Sequence, residues 1–252
     1  MKELNITSAC RLGCVRHNNE DMILVQDQFV RNDECRSHII LDATSRCLVA
    51  VADGMGGHRS GDVASSVALH NLHFFFSDIP VGLNTDSFKD LINEWLLSIN
   101  MIFDSKGKTD ASYKGMGTTL VAIAFYEGKV YSLNCGDSRL YRYRSDGLKQ
   151  LTIDHSLSNL RGDEIRTSII TNCIGGGCTS SYFDIVQLDD DIQDGDVYLL
   201  CSDGLTDMMN DNHLQYLLSK GSDANELCHE AIAFGGYDNV SACLIQVRVS
   251  ND

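Results

Sequence analysis

The sequence predicts an α+β fold in which antiparallel sheets are covered by helices, and three observations carry that reading. From Thr118 to Thr152 runs a β-branched and aromatic stretch, "TTLVAIAFYEGKVYSLNCGDSRLYRYRSDGLKQLT". It is punctuated by Glu127-Gly128 and Asp146-Gly147, pairs that favour tight hairpin turns. Ahead of it lie two stretches with helical periodicity, and the strands come in runs rather than alternating one by one with helices, unlike regular βαβ winding.

The elements follow in chain order. The N-terminus, "MKELNITSACRLGCVR", has neither the apolar core nor the small-residue cleavage site of a secretory signal, and no apolar run is long enough to span a bilayer, so a cytoplasmic, membrane-free protein is expected. Leu48 to Ala52 is a continuous apolar strand. Gly61 to Phe76 reads as a helix with Val63, Val67, Leu72 and Phe75 or Phe76 on its apolar side. Phe88, Leu91, Ile92, Trp95, Leu96, Ile99, Ile102 and Phe103 mark a clearer helical stripe whose simplest role is core. The 118–152 stretch is expected to form one antiparallel meander. "DDDIQDGD" reads as a solvated turn leading into the strand "VYLLCS"; helices near Asn212–Lys220 and Ala224–Phe234 and a final strand Val240–Val249 complete the chain. With 252 residues, 43% hydrophobic, one proline and no Gly/Ser-rich linker, residues 1–252 are expected to form a single domain, and a monomer.

Composition excludes some functions. A net charge of −15 argues against a nucleic acid partner, because such binding rests on clustered Lys and Arg, whereas carboxylates in excess attract cations. None of the ten cysteines forms C-x-x-C; the nearest pairs, Cys10/Cys14 and Cys173/Cys178, have neither zinc nor redox spacing, and most cysteines are expected to be small buried hydrophobes. His70 and His73, one helical turn apart, lack an evident acidic partner and read as surface or packed histidines.

The most informative stretch is "VADGMGGHRSGD", Val51 to Asp62, an apolar strand ending in an aspartate that is followed by three glycines within four residues. "VYLLCSDG" repeats the pattern, so Asp53 and Asp203 both leave the ends of buried strands; "GGYDN" sets Asp238 before the last strand and "NCGDSR" sets Asp137 at a hairpin end. Carboxylates gathered on one rim repel unless a cation sits among them, and magnesium or manganese prefers such oxygen ligands. Glycine after Asp53 would let the Gly54 carbonyl approach that ion, with Thr118 and Thr119 packed beneath. A phosphate cradle is the alternative, but the stretch lacks the Lys-Ser/Thr ending of a P-loop and its spacing is not G-x-G-x-x-G. A second alternative lies in "CRLGCVR", where Cys10 and Arg16 satisfy the C-x5-R pattern of thiolate-dependent phosphatases.

Seven segments in order, "GCVRHNNED", "VADGMGGHRSG", "GMGTTL", "NCGDSRLYR", "LTIDHS", "LLCSDGLTD" and "GGYDNVS", resemble the metal-dependent Ser/Thr protein phosphatases of the protein phosphatase 2C type, in their short bacterial form. The resemblance covers nearly the whole chain. It implies a four-layer αββα sandwich, two central antiparallel sheets flanked by helices, with two Mn or Mg ions in a cleft at one end. Asp53 would bridge both ions, the Gly54 carbonyl would bind one, and Asp203 and Asp238 the other. Glu20 and Asp21 would hold waters from the second shell, and Asp137 with Asp203 would hold a weaker third ion. Arg16 would contact the substrate phosphate, and a hydroxide shared by the two ions would attack phosphorus directly. Met55 stands where many members carry histidine, so water would protonate the leaving alkoxide. The segment from Leu157 to Asn172 is shorter than the usual substrate flap. The implied substrate is a phosphoserine or phosphothreonine protein, with a Ser/Thr kinase as opposing partner; a phosphatase-like binding module without catalysis is the alternative of a different class.

Overall fold

The computed structural model of the chain describes residues 1–55, 60–145, 147–162, 169–178 and 180–249. Its first four strands, β1 (Lys2–Arg11), β2 (Asp21–Val25), β3 (Gln28–Val30) and β4 (Glu34–Leu41), were not foreshadowed by the sequence pattern. The reason is visible in β4, a sheet-edge strand exposed at Glu34, Arg36, His38 and Ile40, whose inward row Cys35, Ser37, Ile39 and Leu41 is interrupted by a serine and so gives only a weak apolar side. Then come β5 (Arg46–Met55), α1 (Gly61–Asp78) and α2 (Thr85–Thr109). The hairpin region contains β6 (Gly117–Thr118), β7 (Leu120–Tyr126), β8 (Lys129–Cys135), β9 (Arg139–Arg144) and β10 (Gly147–Gln150). After α3 (Leu157–Arg161) follow β11 (Ile174–Gly175), β12 (Asp184–Gln187) and β13 (Val197–Cys201). The chain closes with α4 (Asp203–Thr206), α5 (Asp211–Ser219), α6 (Ala224–Ala233) and β14 (Val240–Val249).

Two antiparallel sheets form. One has six strands in the order β10-β9-β13-β14-β1-β4; the other has eight, β11-β6-β5-β7-β8-β12 with β2 on the other edge of β5 and β3 beyond it. Side-chain alternation along each strand then creates three apolar layers. Leu48, Ala50 and Ala52 of β5 face α1 and α2, where the stripe Phe88, Ile92, Trp95, Leu96, Ile99 and Phe103 is buried as the periodicity predicts. Val49 and Val51 turn the other way, against Leu200, Cys243 and Ile245 of the opposite sheet. On the far side, Leu199, Cys201, Ala242 and Leu244 meet the helices α4 to α6. The order is helices, sheet, sheet, helices, which is the expected αββα sandwich.

The helix ends are set locally. Asn84 caps α2 by accepting the Ser87 N–H, and Asp223 with Glu226 forms a reciprocal capping box on α6. Glu127 and Gly128 both take positive φ, 49° and 81°, and close the β7–β8 hairpin as expected; of the second turn, Asp146 lies outside the described residues.

Two expectations are corrected. The stretch 118–152 is not one meander: β7 and β8 belong to the eight-stranded sheet, whereas β9 and β10 belong to the six-stranded one. The chain crosses between sheets at Gly136–Ser138, where Gly136 adopts φ 126°. Nor is "DDDIQDGD" simply solvated. Asp196 is fully buried and accepts from Arg144 Nε at 2.6 Å, and Asp191 pairs with Arg142, so the acidic run anchors β9. A buried carboxylate is retained where a guanidinium fork satisfies it.

Candidate metal centre

The same alternation that builds the central layer also delivers the polar site. Going up β5, Val49, Val51 and Asp53 share one face; going down β2 from its start, Asp21, Ile23 and Val25 share the face that meets them. Asp21 and Asp53 are direct cross-strand partners, so two carboxylates stand side by side at the end of the inter-sheet core, an arrangement that is destabilising without compensation. From the opposite sheet Ser202 and Ser241 continue the inward rows of β13 and β14. Each donates a 2.7 Å hydrogen bond to Asp21 Oδ2. Asp21 Oδ1 is buried and has no hydrogen-bond partner among the described residues.

Asp53 is held by its backbone. Opposite it, the Thr119 hydroxyl accepts the Asp53 N–H at 3.1 Å, while the Thr118 hydroxyl and the Thr119 N–H donate to the Asp53 carbonyl. Both threonines are fully buried, as expected of residues packed beneath the site. Asp53 stands across the ladder from Asp21 and feels the negative charges of Asp203, Asp137 and Asp238. Half-buried at the end of β5, Asp53 has its pKa held well above the ordinary carboxylate value, by desolvation first and then by repulsion from those four. Asp21 is pushed up to about 7, again chiefly by burial, with Asp203 and Asp238 opposing its charge and the two serines favouring it. Asp203 follows β13 at the start of α4, Asp137 lies in the buried crossing between sheets, and Asp238 precedes β14.

The glycines beside these carboxylates have a common role. A Cβ on Gly54 would lie 2.0 Å from the Gly61 carbonyl oxygen, and one on Gly204 would lie 1.9 Å from that of Asn239. Removing side chains lets separate backbone segments cross in contact, which brings their acidic neighbours to one place. Glu20 lies over Gly61, and burial raises its pKa while Arg16 partly offsets the shift. Arg16 itself stands at the rim, its side chain 53% exposed, and donates from Nη2 to Asp238 Oδ2 at 2.5 Å. Gly56, Gly57, His58 and Arg59 of the glycine-rich stretch, and Asp163 to Ser168 of the short flap, lie outside the described residues.

Several positioning residues were not picked out from the sequence. Asn239 accepts the Glu20 N–H at 2.8 Å and donates to the carbonyls of Leu12 and Asn18, fastening the segment that bears Arg16 to the one that bears Asp238. Arg31 donates to the Asp21 carbonyl and to Ser65 of α1, and the Ser65 hydroxyl donates to the Glu20 carbonyl. Their signal is weak because each acts on backbone elsewhere in the sequence; Asn239 stands next to Asp238 and Ser202 next to Asp203, but adjacency alone does not show what their side chains hold.

The donor set is made of oxygens, is strongly anionic and contains a buried oxygen, Asp21 Oδ1, without a hydrogen-bond partner among the described residues, which fits hard divalent cations rather than soft metals. Among the described residues, no group of three or more His, Cys, Asp or Glu side chains is drawn together closely enough to hold a metal ion. The surface cavity bounded by Met1, Lys2, Leu41 and Lys129 lies at the other end of the strands and includes none of these residues.

The thiolate alternative is overturned here. Cys10 is fully buried between the sheets, accepts from Asn19 Nδ2, and burial together with the Asp21 charge pushes its thiol up to about 11, the opposite of a nucleophile's environment. Seven of the ten cysteines are buried, while Cys14 is exposed and Cys35 and Cys178 are intermediate. His70 stacks on Phe29 with ring centroids 3.8 Å apart and bonds to the Ser66 carbonyl within its own helix, as a packed surface histidine does.

Comparison with known proteins agrees with this architecture. Residues 24–221 match the family model described as protein phosphatase 2C. The serine/threonine phosphatase stp of Listeria innocua is 30% identical over 249 residues, 93% of this chain and 92% of that one. The serine/threonine phosphatase of S. agalactiae superposes with a TM-score of 0.80 at 26% identity, covering 98% of this chain and 100% of that one. The catalytic domain of the phosphatase PstP, whose crystal structure contains two manganese ions, gives a TM-score of 0.74 at 28% identity, covering 99% and 100%.

Proposed function

Because the chain belongs to the protein phosphatase 2C family and is a protein-serine/threonine phosphatase, we propose that the acidic pocket around Asp53 is its catalytic centre, on a single domain of residues 1–252. The observation that carries this reading is the direct pairing of half-buried Asp53 with fully buried Asp21 across the β5–β2 ladder, where Asp203, Asp137 and Asp238 add to the negative charge. Asp53, the Gly54 carbonyl, Asp203 and Asp238 would hold two divalent ions, Mn or Mg, and Asp137 with Asp203 a weaker third. Bound there, the ions supply Lewis acidity that ionises a water at neutral pH and screens the phosphate oxygens.

The chain's own residues do the rest. Ser202 and Ser241 keep the Asp21 carboxylate aimed from one side. Glu20 and Asp21 order water at the pocket floor. Arg16, one nitrogen engaged by Asp238, keeps further N–H donors for the phosphate of a phosphoserine or phosphothreonine, a geometry that suits its planar fork. Stabilising charge on phosphate oxygens is where positioned cations gain most in phosphoryl transfer. The central apolar layer beneath excludes bulk water from the Asp53 side. Met55, half-buried at the end of β5, has no proton to give, so the leaving alkoxide takes one from solvent. The substrate is a phosphoprotein, and an opposing Ser/Thr kinase is its expected counterpart. A monomer in the cytoplasm is the working state; among the described residues no helix is long and apolar enough to cross a membrane.

The test is hydrolysis of a phosphothreonine peptide with manganese, with chelator, and in two variants. Turnover should need the metal, fall about 100-fold or more in Asp203→Asn, and persist in Cys10→Ser. Metal-independent turnover abolished by Cys10→Ser would sink the proposal. Retained phosphopeptide binding without hydrolysis would leave only a binding module.

A further inference from the structure

Outside the acidic pocket, the loop from Cys173 to Cys178 places two thiols face to face. Cys173 Sγ and Cys178 Sγ are 3.0 Å apart, while a disulfide bond is about 2.05 Å long, so closing it requires the sulfurs to approach by about 1 Å. Between them lie Ile174 and three glycines, Gly175, Gly176 and Gly177, with φ of 69°, 62° and 81°. The loop is folded so that its ends meet. The Cys178 N–H donates to the Gly175 carbonyl at 2.9 Å, and the Gly175 N–H donates to Asn100 Oδ1 at 2.7 Å. A Cβ on Gly176 would sit 2.7 Å from the Cys173 sulfur, so glycine is what leaves room for that thiol to lie across the loop toward Cys178.

We propose that Cys173 and Cys178 are an oxidative modification site, a dithiol that a hydroperoxide converts to an intra-loop disulfide and a small thiol reductant restores. The two sulfurs differ in access. Cys178 is partly exposed, whereas Cys173 is 3% exposed and is held as a thiol by burial and by its contact with Cys178. Oxidant therefore reaches Cys178 first. Its sulfur attacks the outer peroxide oxygen, the O–O bond breaks, and the departing oxygen takes up a proton, leaving Cys178 as a sulfenic acid. The Cys173 sulfur, 3.0 Å away, then attacks Cys178 Sγ without ionising first: as the S–S bond forms and the S–O bond breaks, the departing oxygen takes the Cys173 proton and leaves as water. In sum the two thiols give up two electrons and two protons, and the hydroperoxide becomes an alcohol, or water, plus water. Neighbouring sulfur makes the second step intramolecular, which favours it over reaction with a thiol in solution.

Location gives the bridge a structural reach. Ile174 and Gly175 form β11, which pairs with Gly117 and Thr118 of β6, and the Gly176 N–H donates to the Met116 carbonyl. Thr118 is the residue whose hydroxyl donates to the Asp53 carbonyl.

The full-length protein treated with one equivalent of hydrogen peroxide, denatured and titrated for thiols, should fall from ten to eight, and dithiothreitol should restore ten. Peptide mapping should find Cys173 joined to Cys178. In Cys173→Ser, Cys178 should stop at the sulfenic acid and be trapped by dimedone; in Cys178→Ser, no pair of thiols should be lost. A titre that stays at ten, loss mapped to the exposed Cys14, or a bridge that recruits Cys135 would each overturn the proposal. The wild-type titration and map stand by themselves should either variant fold poorly, and neither depends on phosphatase activity.

Discussion

Replacing Asn239 by alanine removes three hydrogen bonds at once and tests whether the rim of the pocket is assembled by one side chain. Asn239 is 4% exposed; its Oδ1 accepts the Glu20 N–H at 2.8 Å, and its Nδ2 donates to the Leu12 and Asn18 carbonyls at 2.9 and 3.0 Å. Each bond contributes about 1 kcal/mol net, and a backbone group left buried without a partner costs about 1–3 kcal/mol. The expected loss is about 3 kcal/mol, or about 1 to 1.5 M in urea midpoint for a slope of about 2–3 kcal/mol per M. Because the tie joins the segment of Arg16, Glu20 and Asp21 to that of Asp238, manganese affinity should also fall, by about 10- to 100-fold. Urea unfolding followed by tryptophan fluorescence and isothermal titration with manganese measure the two effects. Asn239→Asp sharpens the test: it keeps an acceptor for Glu20 but loses both donations and adds a charge beside Asp238, so in the metal-free protein it should be at least as damaging as alanine. An Asn239→Ala protein with an unchanged urea midpoint and unchanged manganese binding would refute the argument that this residue assembles the rim.

Other consequences can be checked separately. Arg16→Lys keeps the charge but loses the planar fork, so kcat/KM on a phosphopeptide should fall about tenfold or more; steady-state kinetics equal to wild type would remove Arg16 from phosphate contact. Gly204→Ala would put a methyl group 1.9 Å from the Asn239 carbonyl oxygen, and the forced separation of α4 from the Asp238 segment should destabilise by about 3 kcal/mol or more, read as a lowered thermal midpoint. In chelator, stability should fall as pH rises. Asp21 is lifted from its ordinary 3.8 to about 7 in the folded state, and Asp53 moves in the same direction. A carboxyl whose folded pKa is raised gives its full stabilisation below its unfolded pKa and loses it as pH climbs through the folded value, so the metal-free protein should melt higher near pH 5 than near pH 8. Manganese, which binds the ionised form, should shrink or invert that difference; a melting temperature indifferent to pH in chelator would contradict the clustering of these carboxylates.

How much of this was legible in the sequence varies by element. The long helix α2 was plain because its stripe repeats over four turns, and β14 was plain because both its faces are buried, one by each neighbouring layer. The strands β1 to β4 were not, since β3 is three residues long and β4 is an exposed edge whose side chains meet no partner layer on one side. The pairing of "LYRYR" with β13 rather than with β8 was equally hidden, because a crossing of one loop between sheets leaves no trace in alternation. Among the candidate site residues, Asp53, Asp203, Asp137 and Asp238 announced themselves as aspartates in glycine-containing turns at strand ends, whereas Glu20 and Asp21 were indicated only by the family resemblance. The polar residues that hold them did not: Arg31, Ser65 and Asn239 act through hydrogen bonds to backbone 10 to 227 positions away.

What the sequence determined by itself is the local alphabet of the protein: which stretches are strands or helices by period, where glycine permits a turn or a close approach, and which carboxylates sit at the ends of apolar runs. Those are properties of neighbours along the chain. Only the tertiary structure decided that Asp21 faces Asp53 across a ladder, that Ser202 and Ser241 reach the same carboxylate from the opposite sheet, and that Cys10 is sealed in the core while Cys173 and Cys178 meet. The physical reason is that a charge's protonation and a thiol's reactivity depend on burial and on nearby charges, and both are fixed by packing between segments that the chain order keeps far apart.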